Sequence, residues 1–524
     1  MSATAFPPGM RLHHAFGATA ARVPARTALV CGEQRVSYGE LDAQVHGLAG
    51  ALADAGIGAG DRVVLFMEAG VEFAVAMHAV WRRGAVLVPV SALTKADKLA
   101  WLLTDTEASA LLTQAPLAPA WRPAVARTPG LRAVWRAGGD AADAAPPVRP
   151  WPGAARQSPP EPPIAPDDLA ALIYTSGTTG TPKGVMLTHA SMGAAWRSVQ
   201  AYLQWREDDV IGLALPPAFS YGLYHLIMGL GAGLTLVLER QAAFPAKLLQ
   251  RLAAERVTVF PGVPTLFAAL LQQDLSRHDL SALRMLTNAA APLAPAHLQR
   301  LRAALPQARF FAMYGLTECA RASYLPPDEL DRHPGSVGRG MPFQTHWLAD
   351  EQGRPLPHGA TGELVVCGAH VMTGYWRRPD ETAARLRPGP RPGERVLHTG
   401  DLFRSDAEGY LHFVGRTDDI IKSRGEKVSP VEVEHAICRL PEVLDAAVVG
   451  VPDEALGQAV HAHVRLRPGA SLAERDVIRF CLAHLESHMA PQRVHFVDAL
   501  PVTDSGKVRR ASLTDPSFPN RTPP

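Results

Sequence analysis

The chain is poor in the features that would tie it to a nucleic acid, an oxidising compartment or a zinc ion. Lys and Arg number 52 against 50 Asp and Glu, a formal net charge of +2 over 524 residues, with no basic block and no acidic tail. No electrostatic footprint for nucleic acid or an anionic membrane surface follows from that balance. The five cysteines, Cys31, Cys319, Cys367, Cys438 and Cys481, are scattered and form no C-x-x-C pair. A disulfide framework and a zinc site are both disfavoured, and free thiols in a reducing cytoplasm are expected. The first 30 residues lack the basic start and apolar block of a secretory signal. Residues 210–238 carry no Asp, Glu, Lys or Arg, but Pro216, Pro217, His225 and glycines at 212, 222, 229, 231 and 233 interrupt them. Turns between buried elements fit that stretch better than a continuous span, so no integral membrane segment is expected. Charged residues are only 19% and aromatics 6%, while hydrophobic residues reach 47%, enough for a sizeable core. A small-molecule substrate is the default partner.

The length allows roughly three domain-sized units, or one large and one small. Strand-sized apolar runs at Val63–Phe66, Ala85–Val90, Ala171–Tyr174, Leu234–Leu238 and Val257–Phe260 alternate with helix-length segments, which reads as α/β. Ala242 to Glu255 places Phe244, Leu248, Leu249 and Leu252 near one another at helical spacing, making a βαβ unit with the strands on either side. Residues 140–165 hold eight prolines with almost no periodicity and read as a loop or partly flexible spacer. The last hundred or so residues read as a separate small module. There Ser471 with Glu474 forms a capping-box pattern before a helix whose Ile478, Cys481, Leu482 and Leu485 share a face. Leu444–Val451, Ala459–Leu466 and the Val494/Phe496 alternation supply its strands, and four late prolines argue for a frayed end.

The most informative stretch follows the strand ending at Tyr174: Thr175-Ser176-Gly177-Thr178-Thr179-Gly180-Thr181-Pro182-Lys183-Gly184. Its glycines let successive N–H groups turn into one concavity, and hydroxyls and an ammonium add donors suited to several phosphate oxygens. The Walker A spacing is absent, since Lys183 follows Pro182 and precedes Gly184. A polar surface turn has the same composition, but so dense a donor cluster directly after a buried strand favours a polyphosphate ligand.

This loop resembles the signature loop of the adenylate-forming superfamily, which includes acyl-CoA synthetases, peptide-synthetase adenylation domains and luciferases. Further motifs fall in that family's order from Val36-Ser37-Tyr38-Gly39-Glu40-Leu41 to Lys507. The resemblance implies a large multi-subdomain N-terminal domain of mixed sheets and helices (1–417), a hinge near Asp418, and a small mobile α+β C-terminal domain (418–524). It implies activation of a carboxylic acid by ATP and Mg²⁺ to an acyl-AMP with release of pyrophosphate, then transfer to a thiol. That thiol belongs to CoA or, alternatively, to the phosphopantetheine of a carrier protein. Thr175, Ser176, Gly177, Thr178, Thr179, Gly180 and Lys183 would hold phosphates. Met313-Tyr314-Gly315-Leu316-Thr317-Glu318 matches the motif in which Tyr314 packs on adenine, Thr317 contacts the α-phosphate and Glu318 holds Mg²⁺, a hard cation suited to oxygen ligands. His398-Thr399-Gly400-Asp401 resembles the ribose-binding turn. Gly415-Arg416-Thr417-Asp418-Asp419 resembles the hinge, with Arg416 near the nucleotide. Lys507, in Asp504-Ser505-Gly506-Lys507, matches the lysine that bridges carboxylate and α-phosphate in the first step. Lys422, in Ile420-Ile421-Lys422-Ser423-Arg424-Gly425, matches the loop used for thioester formation.

Departures from the family pattern bear on the substrate pocket, for which Phe219, Ser220, Tyr221, Ala289 and Leu316 are the candidates. Phe219 stands where many acyl-CoA synthetases carry histidine. Ser220 stands where peptide-synthetase domains use an aspartate for the α-ammonium of an amino acid, and without that carboxylate such a charge would be poorly paired. An acid lacking an α-amine is expected. Ala312 replaces a frequent Asn or Gln, and Asn288-Ala289-Ala290-Ala291-Pro292 replaces a glycine-bearing segment. A serine hydrolase using Ser220 is the rival from another class, since Ala218-Phe219-Ser220-Tyr221-Gly222 is one residue from G-x-S-x-G. Pro216-Pro217 interrupts the strand such an elbow needs.

Overall fold

The computed structural model describes residues 6–139, 148–175, 182–239, 244–424, 426–453, 456–503, 508–515 and 518, with the Lys427 side chain left out. Four sheets organise them. The first has nine strands in the order Arg339–Gly340, Ser323–Leu325, Arg309–Tyr314, Met285–Asn288, Val259–Gly262, Val210–Leu213, Thr235–Leu238, Thr27–Cys31 and Gln34–Ser37. The second has eight, in the order Gly374–Tyr375, Lys183–Thr188, Leu169–Thr175, Val86–Val90, Arg62–Phe66, Ala110–Gln114, Ala133–Ala137 and Val148–Pro150. Their central strands are parallel and antiparallel pairs lie at the edges. Parallel strands covered on both faces must be apolar throughout, and Val86–Val90 and Ala110–Gln114 are buried along their whole length. Two helices supply much of the cover. Val71–Arg82 is buried at all but its polar ends, and Ser220–Ala232 is buried at every position after its first.

The charge-free stretch at 210–238 is therefore a strand, a buried helix and a strand, and no described helix is long and apolar enough to cross a membrane. The expected βαβ unit forms, with Thr235–Leu238 and Val259–Gly262 flanking the parallel strand Val210–Leu213 and the helix Pro245–Ala254 between them in sequence.

A third sheet runs Thr345–Ala349, Thr361–Cys367, Arg395–Ser405, Leu386–Pro388, with Leu411–Arg416 also on Arg395–Ser405. The fourth contains Glu426–Val428, Ile421–Ser423, Gly457–Leu466 and Val443–Asp453, with Arg493–Phe496 added to Gly457–Leu466. Its core, including Ile421, Val433, Val448, Val460, Cys481 and Phe496, draws on no residue before Ile421.

Two expectations need correction. Phe244 is the N-cap of its helix and 55% exposed, leaving Leu248, Leu249 and Leu252 as the buried face. The capping box at Ser471 does not form: the helix is Glu474–His484 with Ala473 as its N-cap, and Glu474 instead accepts the Val494 N–H at 2.9 Å. Because the helix starts there, Val477 and Cys481 face the core while Leu482 is exposed. The described part of the proline-rich stretch is a loop, as expected, apart from Val148–Pro150, but it is fastened down. Val148–Pro150 adds an edge strand, Ala155 N–H donates to Ala43 O at 2.8 Å, and Arg83 donates to Pro160 O at 2.9 Å. A Cβ on Gly47 would stand 1.9 Å from Gly153 O, so the segment lies directly on the helix Tyr38–Asp54. These are backbone contacts, which leave no hydrophobic period to read.

Glu161 closes that clasp, accepting from His14 at 2.8 Å and His13 at 3.2 Å, with Arg82 also at 3.2 Å. The His13 hydrogen bond leads in holding its carboxyl down at about 2, outweighing burial, against an ordinary 4.5. A depressed carboxylate pKa stabilises the fold above the unfolded value and loses that contribution as pH falls through the folded one. Glu161→Ala should cost about 2 kcal/mol at neutral pH. The deficit should shrink as pH falls from 4.5 towards 2. Limited proteolysis checks this, with tryptic cleavage after Arg156 expected to quicken by roughly tenfold.

Candidate active site

Strand pairing fixes both ends of the glycine-rich loop. Leu169–Thr175 runs antiparallel to Lys183–Thr188, with Tyr174 opposite Gly184 and Thr175 opposite Lys183. The segment Ser176–Thr181, carrying Ser176, Gly177, Thr178, Thr179 and Gly180, lies outside the described residues. The Tyr174 hydroxyl donates to Asp105 at 2.5 Å, and burial followed by that carboxylate raises its pKa.

Next to the loop's far end, the Lys183 ammonium lies 5.6 Å from the centroid of Tyr375, whose hydroxyl donates to Glu318 Oε1 at 2.7 Å. Burial and then the Glu318 charge push the Tyr375 phenol up, so it stays a neutral donor. Glu318 Oε2 accepts no hydrogen bond among the described residues. One open carboxylate oxygen beside a phosphate loop fits Mg²⁺, which is held by one or two carboxylates plus substrate phosphates. Thr317 Oγ1 is 3.5 Å from Ser220 Oγ, which brings the proposed α-phosphate contact beside the proposed pocket.

The Tyr314 hydroxyl donates to Asp401 Oδ2 at 2.5 Å, so the residues expected to meet adenine and ribose come together. The Tyr314 ring packs against Phe403 and Phe413, with centroids 4.7 and 6.3 Å away. Burial, then the Asp401 charge, drives its pKa well up. Asp401 N–H donates to Thr399 Oγ1 at 3.2 Å, and Arg416 Nη1 stands 3.7 Å from Asp401 Oδ1. Glu363 holds the turn from behind, accepting from Gly400 N–H at 2.7 Å with His398 Nδ1 at 2.9 Å. Arg416 Nε donates to Asp418 at 2.8 Å. Burial alone would raise the Asp418 pKa, but the Arg416 hydrogen bond and charge hold it below the usual range.

Among the pocket candidates, Phe219 caps the helix Ser220–Ala232, and the Tyr221 hydroxyl donates to Thr287 O at 3.0 Å and shares a hydrogen bond with Thr287 Oγ1 at 2.8 Å. That joins the helix to the strand end carrying buried Ala289; Leu316 is half-buried against the same core. Ala290 has φ +75°, a left-handed conformation that suits glycine. The hydrolase geometry is not formed. The strand Val210–Leu213 ends well before Ser220, and His225 gives its Nδ1 proton to Tyr221 O at 2.8 Å rather than facing the serine.

Two expected residues remain, and only Lys422 is among the described ones. Lys507 lies outside the described residues, though Val502 and Val508 on either side form an antiparallel bridge. Lys422 is exposed on the strand Ile421–Ser423, and its backbone N–H donates to Gln458 Oε1 at 2.8 Å. Tyr375, Glu363 and Arg321 escaped the sequence reading because each acts across a long separation from its partner or sits outside any motif. Arg321 is 5% exposed, with its guanidinium carbon 4.3 Å from the Tyr221 ring centroid.

An N-terminal unit with a nucleotide-shaped cluster at its edge, followed by a small unit with its own core, is the architecture of an adenylate-forming enzyme. The AMP-binding enzyme signature covers residues 16–376, and the AMP-binding enzyme C-terminal domain covers 432–507. The chain therefore belongs to the AMP-binding enzyme family, within the adenylate-forming superfamily. It is similar to a feruloyl-CoA synthase of Amycolatopsis, 34% identical over 94% of this chain and 96% of that protein. It is 31% identical to the fatty acid–[acyl-carrier-protein] ligase ScoC of Streptomyces coeruleorubidus, over 94% of this chain and 93% of that one. The crystal structure of the anthranilate CoA ligase AuaEII with anthranoyl-AMP superposes with a TM-score of 0.86 at 25% identity, covering 97% of each chain.

Gly315 makes the Tyr314–Glu318 turn possible, because a Cβ there would meet Ala320 O at 2.4 Å and Arg321 Cα at 2.7 Å, both backbone atoms. Gly315→Ala should destabilise the fold by about 1–3 kcal/mol. It should also weaken ATP binding, since Tyr314 and Glu318 would lose their relative positions; thermal unfolding with and without ATP measures both effects.

Proposed function

We propose that the chain activates a carboxylic acid with ATP to an acyl-AMP, releasing pyrophosphate, and passes the acyl group to the thiol of CoA. The observation that carries this reading is the convergence of Lys183, Tyr375, Glu318 and Thr317 at one end of a cluster whose other end is Tyr314, Asp401 and Arg416. In the first step an acid oxygen attacks the α-phosphorus, and the bond to pyrophosphate breaks. Both reactants are anionic, so fixed cations and oriented donors must offset their repulsion. Lys183 and the hydroxyls of the loop would hold the β- and γ-phosphates, Thr317 the α-phosphate, and Asp401 the ribose. Glu318 would hold Mg²⁺, oriented by the Tyr375 hydroxyl; the bound ion supplies charge neutralisation on the departing pyrophosphate. Lys507 would approach carboxylate and α-phosphate together. In the second step the thiol sulfur attacks the acyl carbonyl, and AMP leaves.

The boundary at 417/418 is supported by the separate core beginning at Ile421. Polar contacts among the described residues span it: Ser429 donates to Val414 O, and Arg416 Nε donates to Asp418 at 2.8 Å. Such a seam suits rotation about Asp418 between the two half-reactions. A rotation would exchange Lys507 for Lys422, which explains why Lys422 faces solvent in this arrangement. A carrier-protein phosphopantetheine presents the same thiol arm, and the likeness to a carrier-protein ligase favours it as the second reading. Ser220, with no carboxylate in its place, supports an acid without an α-amine.

Lys507→Ala should lower acyl-AMP formation by about 10²-fold or more while sparing thioester formation from supplied acyl-AMP. Lys422→Ala should show the reverse bias, and Asp418→Pro should hold adenylation measurable while arresting transfer. Pyrophosphate release and thioester formation, assayed separately with CoA and with a carrier protein, test all three. Equal losses in both steps would contradict the division of labour. Chelation of Mg²⁺ should abolish pyrophosphate release.

A further inference from the structure

We propose that Arg321 anchors a second carboxylate on the acid substrate, so that the acids this site prefers are dicarboxylic. The inference rests on the acid-activating reading above and narrows it to a substrate class. Arg321 comes three residues after Glu318, in the turn that carries Thr317, and is 5% exposed. Its Nη1 donates to Ala320 O at 2.6 Å, and its plane lies over Tyr221, whose own hydroxyl is committed to Thr287. Its Nε is buried with no hydrogen-bond partner. Among the described residues no Asp or Glu oxygen lies within ion-pair distance of the guanidinium. Tyr202, Tyr221, Tyr224, His225 and Cys319 lie within its electrostatic reach; burial raises the tyrosines and the cysteine and lowers the histidine, so none of these five carries a charge at pH 7.

A buried guanidinium without a counter-ion is strongly unfavourable, and one cation–π contact offsets only part of that penalty. The arrangement makes physical sense when an anion arrives with the ligand. With Nη1 engaged, the Nε–Nη2 edge is what remains, and its two parallel N–H groups match a carboxylate held bidentately. The acid's reacting end has a place beside Thr317, which Ser220 links to the same helix as Tyr221. A fatty or simple aryl acid would bring only methylenes or ring carbons to the guanidinium. It would leave the charge unpaired on binding, so the site would reject it in favour of a diacid.

The test compares aliphatic and aromatic diacids with their monomethyl esters, which keep length and shape and delete one charge. Pyrophosphate release would be measured with wild type, Arg321→Met and Arg321→Lys. We expect wild type to favour its best diacid over the matching ester by about 10²-fold or more in kcat/KM. Arg321→Met should reduce that ratio to within about tenfold, mainly by raising KM for the diacid, and Arg321→Lys should fall between them. A wild type that uses ester and diacid equally, or an Arg321→Met protein with an unchanged ratio, would overturn the assignment. Circular dichroism shows whether Arg321→Met folds; if it does not, the wild-type ratio alone decides. If no acid of any kind releases pyrophosphate, the activity reading has failed. Calorimetric binding of diacid against ester to wild type then decides on Arg321 separately.

Discussion

Two phenol–carboxylate hydrogen bonds hold the site together, and both end on the five residues Tyr314–Glu318. Tyr314 reaches from the nine-stranded sheet to Asp401 in the third sheet. Tyr375, on the edge of the eight-stranded sheet, reaches to Glu318 just beyond the same strand. Three sheets are thus tied at one turn, each through a partly buried charge-assisted bond, the class worth roughly 1.5–3 kcal/mol where neutral ones give about half that. Backbone bonds reinforce the same junction, Met372 N–H to Glu318 O at 2.7 Å and Trp376 N–H to Gly184 O at 2.8 Å. Distances between the phosphate hairpin, the metal-suited carboxylate and the ribose turn are therefore set by the fold rather than by a ligand.

How much of this could be read from the chain depends on range. Parallel strands buried on both faces are continuous apolar runs, so Val86–Val90 and Leu169–Thr175 were legible within a residue or two. Helix ends were less so: Ser471 and Glu474 have the right spacing for a cap, but Glu474 is drawn 20 residues onward to Val494, and a tertiary bond outcompeted a local one. The proline-rich segment defeated pattern reading because its contacts are scattered: backbone groups, the Ser158 hydroxyl, the Glu161 carboxylate and the isolated apolar side chains Val148 and Trp151 follow no period. The candidate site was legible at Tyr314, Thr317, Glu318 and Asp401 through the motifs they stand in. Tyr375 and Glu363 could not be found that way, since their value lies in partners 57 and 37 residues distant in sequence.

The seam after Asp401 is built on different terms from the junction before it. Arg416 touches both Asp401, on the nucleotide turn, and Asp418, at the start of the linker, and it is held by each. Asp419, with its carboxyl pushed up by burial despite Arg510, continues the chain of charges into the small domain. Exchanging one charged partner for another along such a row would change little in net energy where each group stays partly solvated and paired. An apolar seam would have to expose its surface to move. A polar one would let the small domain turn, as the proposed two-step reaction requires, without exposing apolar surface.

The site thereby separates its cations by how firmly they are held. Lys183 sits at the base of a hairpin, and Lys422 is exposed on the small domain; in the proposed reaction both would meet phosphates or an adenylate that arrive and leave. A hydrated, flexible ammonium suits that traffic. Arg321 is fixed in the opposite way, its plane against Tyr221, one nitrogen on a carbonyl, and its backbone packed behind Gly315. A charge so immobilised does little for a transition state that forms and decays elsewhere, but it discriminates sharply between ligands that do and do not satisfy it. The buried charge of Arg321 serves the choice of acid, and the turn at Gly315 sets it beside Thr317 and Glu318.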